Sequence, residues 1–254
     1  MNLKELEKQF ACPDGERRAM PFWAWNGELE EAELLRQIDI MKEMGFGGFY
    51  MHSRTGLRTE YLGEEWFRLI EKCAEYGTSI GMEPWLYDED RWPSGSAGGL
   101  VTKEEAYRSM YLVMEKQMPE DRAKQIQEDT EKQIPEVGEK QAPDDRKAQM
   151  PEEAPVLVYA CRLDGTSYTG GRELAPGEMP SPEETVLSFY ARHPEGNDNY
   201  NGYTYLDTMS REAVQAYIRS THEAYKDACG NCFGQSIKGI FTDEPHRGGL
   251  FTNF

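Results

Sequence analysis

Basic residues are scarce in this chain. It sets 28 Lys and Arg against 46 Asp and Glu, a net charge of −18. A surface of that sign repels phosphate backbones and anionic headgroups, so neither nucleic acid nor a membrane is expected as a partner. Long apolar runs are missing too; none approaches the roughly 20 residues that span a bilayer. The opening residues, Met1-Asn2-Leu3-Lys4-Glu5-Leu6, lack the apolar stretch of a secretory signal. The five cysteines are scattered. Cys229 and Cys232 form the single Cys-x-x-Cys pair, half of what a paired zinc motif needs. Free thiols and no leader segment lead us to expect a cytoplasmic protein.

Four apolar runs read as strands: Pro21–Asn26, Gly47–His52, Met82–Tyr87 and Ile237–Thr242. None shows clean alternation, as expected for parallel strands covered on both faces. Helical spacing separates them. Residues 29–44 carry Leu34, Leu35, Ile38 and Met41 ahead of Gly45, a natural helix stop. Residues 64–76 carry Trp66, Phe67, Ile70, Cys73 and Ala74. Residues 211–229 follow Ser210, a good N-cap, and close at Gly230. The order β-α-β-α-β, excursion, α-β predicts an α/β fold with a parallel sheet built by right-handed crossovers.

The excursion, about 101–208, is too long for a loop. Its β-like runs, Tyr107–Met114, Pro155–Leu163, Thr185–Arg192 and Tyr203–Asp207, predict a small inserted β-subdomain. Within it, 115–154 is a degenerate octapeptide array: Gln117, Gln125, Gln133, Gln141 and Gln149 recur with Lys before and Pro after most of them. A tract so rich in Pro, Glu, Lys and Gln cannot bury enough apolar surface to fold alone, so it is expected to be disordered.

The strand ends carry the chemistry. Thr242-Asp243-Glu244-Pro245 ends the fourth strand and Asp88-Glu89-Asp90-Arg91-Trp92 ends the third. In parallel α/β proteins the loops converge at that end of the sheet, and catalytic groups gather there. Glycosidic cleavage needs two carboxyl groups, one to protonate the leaving oxygen and one to act as nucleophile or activate water. Glu244 is the candidate acid. Asp243 beside it would raise its pKa if both faced one pocket. Strand alternation puts Asp88 and Asp90 on the pocket side and turns Glu89 away. Gripping sugar hydroxyls, holding an oxygen-ligated cation such as Ca²⁺, or supplying the second carboxylate are all open to them. Trp25 and Trp92 lie near the tips, where an indole face can stack on a sugar ring. Asn26, His52 and Arg54 offer hydrogen bonds to substrate, and His246 could orient Glu244. No cofactor is called for beyond that cation.

The blocks Phe22-Trp23-Ala24-Trp25-Asn26-Gly27, Gly47-Gly48-Phe49-Tyr50-Met51-His52-Ser53-Arg54-Thr55-Gly56-Leu57 and Tyr87–Gly95 resemble bacterial glycoside hydrolases related to the α-L-rhamnosidases of glycoside hydrolase family 106. The likeness covers 20–100 and 203–247. It implies a (β/α)8 TIM-type barrel acting on plant or host glycans, of which this chain holds the first four β/α units. Residues 18–100 would supply strands 1–3, 101–208 the β-rich insertion, and 209–254 the helix and strand 4. The missing C-terminal half of the barrel would be the chain's natural partner, and alone the chain would not hydrolyse sugars. Glu244 resembles in position the acid/base glutamate of the Asn-Glu-Pro motif in many retaining barrels, with Asp243 standing where that motif has Asn. Two other readings remain open from the residues. One is a metal-dependent barrel hydrolase using His52, Asp88 and Glu244, disfavoured because the second strand has no His-x-His. The other is a catalytically incomplete glycan-binding module.

Overall fold

The computed structural model describes residues 2–121 and 154–246. They divide into two compact units, Met1–Ser109 with Pro194–Phe254, and Met110–His193.

In the first unit, helix α1 (Leu3–Ala11) starts at Asn2, whose side chain accepts from the Glu5 amide while Glu5 reaches back to the Asn2 amide. Then β1 (Phe22–Trp25), α2 (Glu31–Glu43), β2 (Gly48–Ser53), α3 (Glu64–Ser79) and β3 (Glu83–Tyr87) alternate. After a long gap come α4 (Arg211–Ile218), a π-helical turn (Arg219–Glu223), α5 (Ala224–Cys229) and the two-residue strand β8 (Ile240–Phe241). Ser210 caps α4 by accepting from the Ala213 amide. The sheet order is β1-β2-β3-β8, every pair parallel. No closed barrel forms among the described residues; four strands make an open sheet.

Helices α2, α3 and α5 cover one face. Trp23, Trp25, Phe49, Met51 and Leu86 from the strands bury against Leu34, Ile38 and Met41 of α2, Trp66, Leu69, Ile70 and Cys73 of α3, and Tyr225 and Cys229 of α5. The Trp66 indole N–H donates to the Tyr225 hydroxyl at 3.0 Å inside this core. Close helix–sheet contact rests on Gly77, where a Cβ would stand 2.9 Å from the Phe49 ring. The other face is aromatic: Phe22, Tyr50, Tyr87 and Phe241 lie ring to ring, with Trp85 against Tyr50. Phe22 is 50% exposed there while Trp23 and Trp25 are buried. This corrects the expectation that both faces are covered; β1 alternates out and in along its length.

The second unit is an antiparallel sheet of β4 (Tyr111–Gln117), β5 (Leu157–Asp164), β6 (Ser167–Glu173) and β7 (Thr185–Arg192), in the order β4-β7-β5-β6. Tyr159, Cys161, Tyr168, Gly171, Leu187 and Phe189 line an apolar groove of about 280 Å³ on it. This unit is narrower than the expected insertion. Residues 101–109 and 194–208 fold with the parallel sheet instead, because Val101 and Leu206 bury beside Ala213, Ala216 and Tyr217 of α4. Tyr203–Asp207 makes a lone bridge, Arg108 to Leu206, in place of a strand. Most of the octapeptide array lies outside the described residues. Its first three, Glu115, Lys116 and Gln117, are strand residues paired with Ser188, Leu187 and Val186.

Gly48 makes the β2–β3 register sensitive to one atom, since a Cβ there would stand 2.1 Å from the Glu83 carbonyl oxygen. Gly48→Ala is expected to lose about 2–3 kcal/mol of stability by overpacking. Denaturant titration checks this; a loss within about 0.5 kcal/mol, ordinary for a harmless surface change, would contradict the register.

Candidate active site

The ends of β3 and β8 are neighbours, because Leu86 pairs with Ile240 and Tyr87 with Phe241. The acidic runs that leave them therefore meet. The pairing continues one step further, as the Asp88 amide donates to the Phe241 carbonyl at 3.2 Å.

The run after β3 turns inward. Asp88 is fully buried. One of its oxygens accepts from the Ser94 hydroxyl at 2.6 Å and the other from the Thr242 hydroxyl at 2.6 Å. His222 Nε2 lies 3.4 Å from the second oxygen. Asp90 accepts from the Ser53 hydroxyl and, at 2.8 Å, from the Asn201 side-chain Nδ2, with Arg91 Nε at 3.3 Å. Glu89, expected to face away, is 2% exposed and accepts from five backbone amides, those of Asp90, Gly95, Ser96, Ala97 and Gly98. Burial pushes its carboxyl up to about 7, against the pull of those amides toward the ionised form.

These contacts correct the substrate-gripping role expected of Asp88 and Asp90. Their oxygens are taken by the protein's own donors, because a buried carboxylate without partners would be too costly. The same accounting bears on Ca²⁺. The three carboxylates accept from hydroxyls and amides of the protein itself. Among the described residues no group of three His, Cys, Asp or Glu is placed to hold a metal.

The run after β8 turns outward. Asp243 accepts from the Tyr87 hydroxyl at 2.8 Å. Burial and this bond hold the Tyr87 phenol well above its usual range, so it stays a donor. Glu244 is exposed and accepts from the Trp92 indole N–H at 3.1 Å. Its backbone is left-handed, φ 43°, which a non-glycine residue adopts only when its surroundings force it, and such strain gathers at functional sites. His52 stacks on Tyr87 with centroids 3.4 Å apart, is 4% exposed, and among the described residues leaves Nε2 without a hydrogen-bond partner. Burial, helped by Arg54, pulls its pKa down to about 3.

The remaining candidates divide. Asn26 and Arg54 are exposed at the ends of β1 and β2. Trp25 is not a sugar platform: it is 1% exposed and packs edge-on against Trp23 and Trp66 on the helix side. Strand parity puts it there, two residues on from Trp23. His246 stacks on Tyr205 with ring centroids 4.0 Å apart. Tyr87, Ser94, Thr242 and His222 escaped the sequence reading. Parity from Trp85 would have put Tyr87 on the aromatic face. Nothing in the sequence marks the π-helical turn that carries His222, although such turns often sit at functional sites.

Fold and site together define a mixed α/β protein with a parallel sheet whose C-terminal end carries paired carboxylates. Neither a family model nor a curated protein matches the chain. Among solved structures it is similar to a rhamnosidase from Novosphingobium sp. PP1Y, at 13% identity and a TM-score of 0.53 over 94% of this chain. A likeness at that identity shows a distant rhamnosidase-like fold. The chain spans 39% of that enzyme's length. Among the described residues no helix is long and apolar enough to cross a membrane.

The His52 environment makes a pH prediction. Its folded pKa of about 3 lies below the ordinary 6.5, so the unfolded chain takes up the proton first as pH falls. Stability tied to neutral His52 is complete above pH 6.5 and drains away between there and 3. The stability gap between wild type and His52→Phe should be flat above neutrality and shift in favour of the variant on acidification. Denaturant midpoints taken across that range measure it, and a gap independent of pH would contradict the buried neutral imidazole.

Proposed function

We propose that the parallel-sheet unit belongs to the catalytic barrel of a glycoside hydrolase, with Glu244 as the carboxyl that moves the proton. The observation that carries this reading is the state of Glu244. It stands exposed at a strand tip, in a left-handed backbone, with one carboxylate oxygen tied to the Trp92 indole. A general acid must reach the leaving oxygen, and a strained, solvent-facing carboxyl beside a flat indole suits that task. Asp243, fixed by Tyr87, is the second carboxylate of the tip; it would set local charge or bind a sugar hydroxyl.

The order β1-β2-β3-β8 follows the chain, every strand is parallel, and α2, α3 and α5 lie on one side. That is how four consecutive units of a (β/α)8 barrel are arranged, and the aromatic face of Phe22, Tyr50, Trp85 and Phe241 would then line its interior. The substrate would be a plant or host glycan entering over Trp92, Asn26 and Arg54, with an α-L-rhamnoside the first candidate. His52 Nε2, buried and unpartnered among the described residues, would meet a substrate hydroxyl or a neighbouring wall.

The test is a panel of aryl and alkyl glycosides, the α-L-rhamnosides included, assayed in a form of the protein that closes the barrel. Glu244→Gln is expected to lower turnover by ~10²–10⁴ on alkyl leaving groups, with less effect on good ones, and to leave the circular dichroism unchanged. Equal turnover by wild type and variant on a poor leaving group would remove Glu244 from the proton transfer.

A further inference from the structure

Glu89 is the one member of the β3 acidic run whose partners are all backbone. Asp90 and Gly98 donate to one oxygen at 2.9 and 2.6 Å; Gly95, Ser96 and Ala97 donate to the other at 2.8, 2.7 and 2.8 Å. Four successive amides converging on one point form a concave anion nest, of the kind that elsewhere receives phosphate. Here the group it holds is the chain's own side chain. The winding this requires is visible in the backbone, where Ala97 and Gly98 have φ of 52° and 62°.

The nest closes a loop whose outer residues hold the strand tip. Ser94 donates its amide to the Asp243 carbonyl at 2.9 Å, and its hydroxyl accepts from the Asp243 amide at 2.9 Å while donating to Asp88. The Ser94 carbonyl accepts from the Tyr205 hydroxyl, which also accepts from the His246 amide at 3.3 Å. Two residues earlier, Trp92 supplies the indole N–H to Glu244. The backbone of Asp243 and the carboxylate of Glu244 are thus both tied to the segment that Glu89 anchors.

We propose that Glu89 is a positioning residue for the Asp243–Glu244 tip: an internal carboxyl on which residues 95–98 are wound, so that Ser94 and Trp92 are presented to the end of β8. The inference concerns the site of the proposed function but does not depend on glycoside chemistry, since its readouts are structural and would stand if no sugar were cleaved.

Removing the carboxylate leaves an amide-lined space of carboxylate size, whereas Glu89→Gln fills the space but turns an NH₂ group toward two or three amide donors. Both variants are expected to speed amide exchange at 95–98 by roughly ten- to a hundredfold and to move the Trp92 indole N–H resonance. Sodium formate, compared with sodium chloride at equal ionic strength, is expected to restore both signals in Glu89→Ala and neither in Glu89→Gln. Three results would overturn the proposal. One is Glu89→Gln matching wild type in exchange and indole resonance. Another is formate acting no differently from chloride on Glu89→Ala. The third needs no variant, and so decides the matter even if the variants do not fold: fast exchange of the Gly95, Ser96, Ala97 and Gly98 amides in the wild-type protein.

Discussion

Three consecutive carboxylates leave the end of β3 with almost no water to share, and the site is organised around how they are satisfied. Asp88 draws in Ser94 and Thr242, Glu89 the amides of 95–98, and Asp90 Ser53 and Asn201. Together these bonds tie the ends of β2, β3 and β8 to the loop after β3 and to residue 201. A buried carboxylate stripped of its donors costs far more than an ordinary hydrogen bond contributes, so these connections hold together or fail together.

That inward acidic core leaves the outward role to the other tip. Asp243 and Glu244 sit one strand away, held by Tyr87, Ser94 and Trp92 but not enclosed. The division is one of exposure: one run of carboxylates is buried and fixes geometry, while the neighbouring run carries Glu244, whose carboxyl faces solvent. The covered face of the sheet supports this with a core of tryptophans and helix residues, while the opposite face stays aromatic from Phe22 to Phe241.

Much of the framework was legible in the sequence. The four parallel strands, the helices near 31–43 and 64–79, the Ser210 cap and the strand of 185–192 all lie close to where apolar spacing and capping chemistry put them. These are local signals, written in periods of two and 3.6 residues. The misses are of another kind. The strand Ser167–Glu173 is mostly exposed and rich in Gly, Ser and Thr, so it carries no apolar pattern to read. The π-helical turn at 219–223 lies inside the single helix expected over 211–229, and no capping or apolar signal sets it apart.

For the site, the sequence by itself determined that carboxylates would crowd two strand ends and that Glu244 would stand at one of them, because strand ends follow from local pattern. Only the tertiary structure decided which carboxylates face solvent. Asp88, Glu89 and Asp90 look alike as a run of acids. Their fates depend on donors 6 to 154 residues away, among them Ser94, Gly98, Asn201 and Thr242. Likewise Trp25 and Trp92 are both tryptophans near strand tips, yet one is sealed under α3 and the other hydrogen-bonds Glu244. A side chain's burial is set by what the rest of the chain brings to it, and that is a property of the fold.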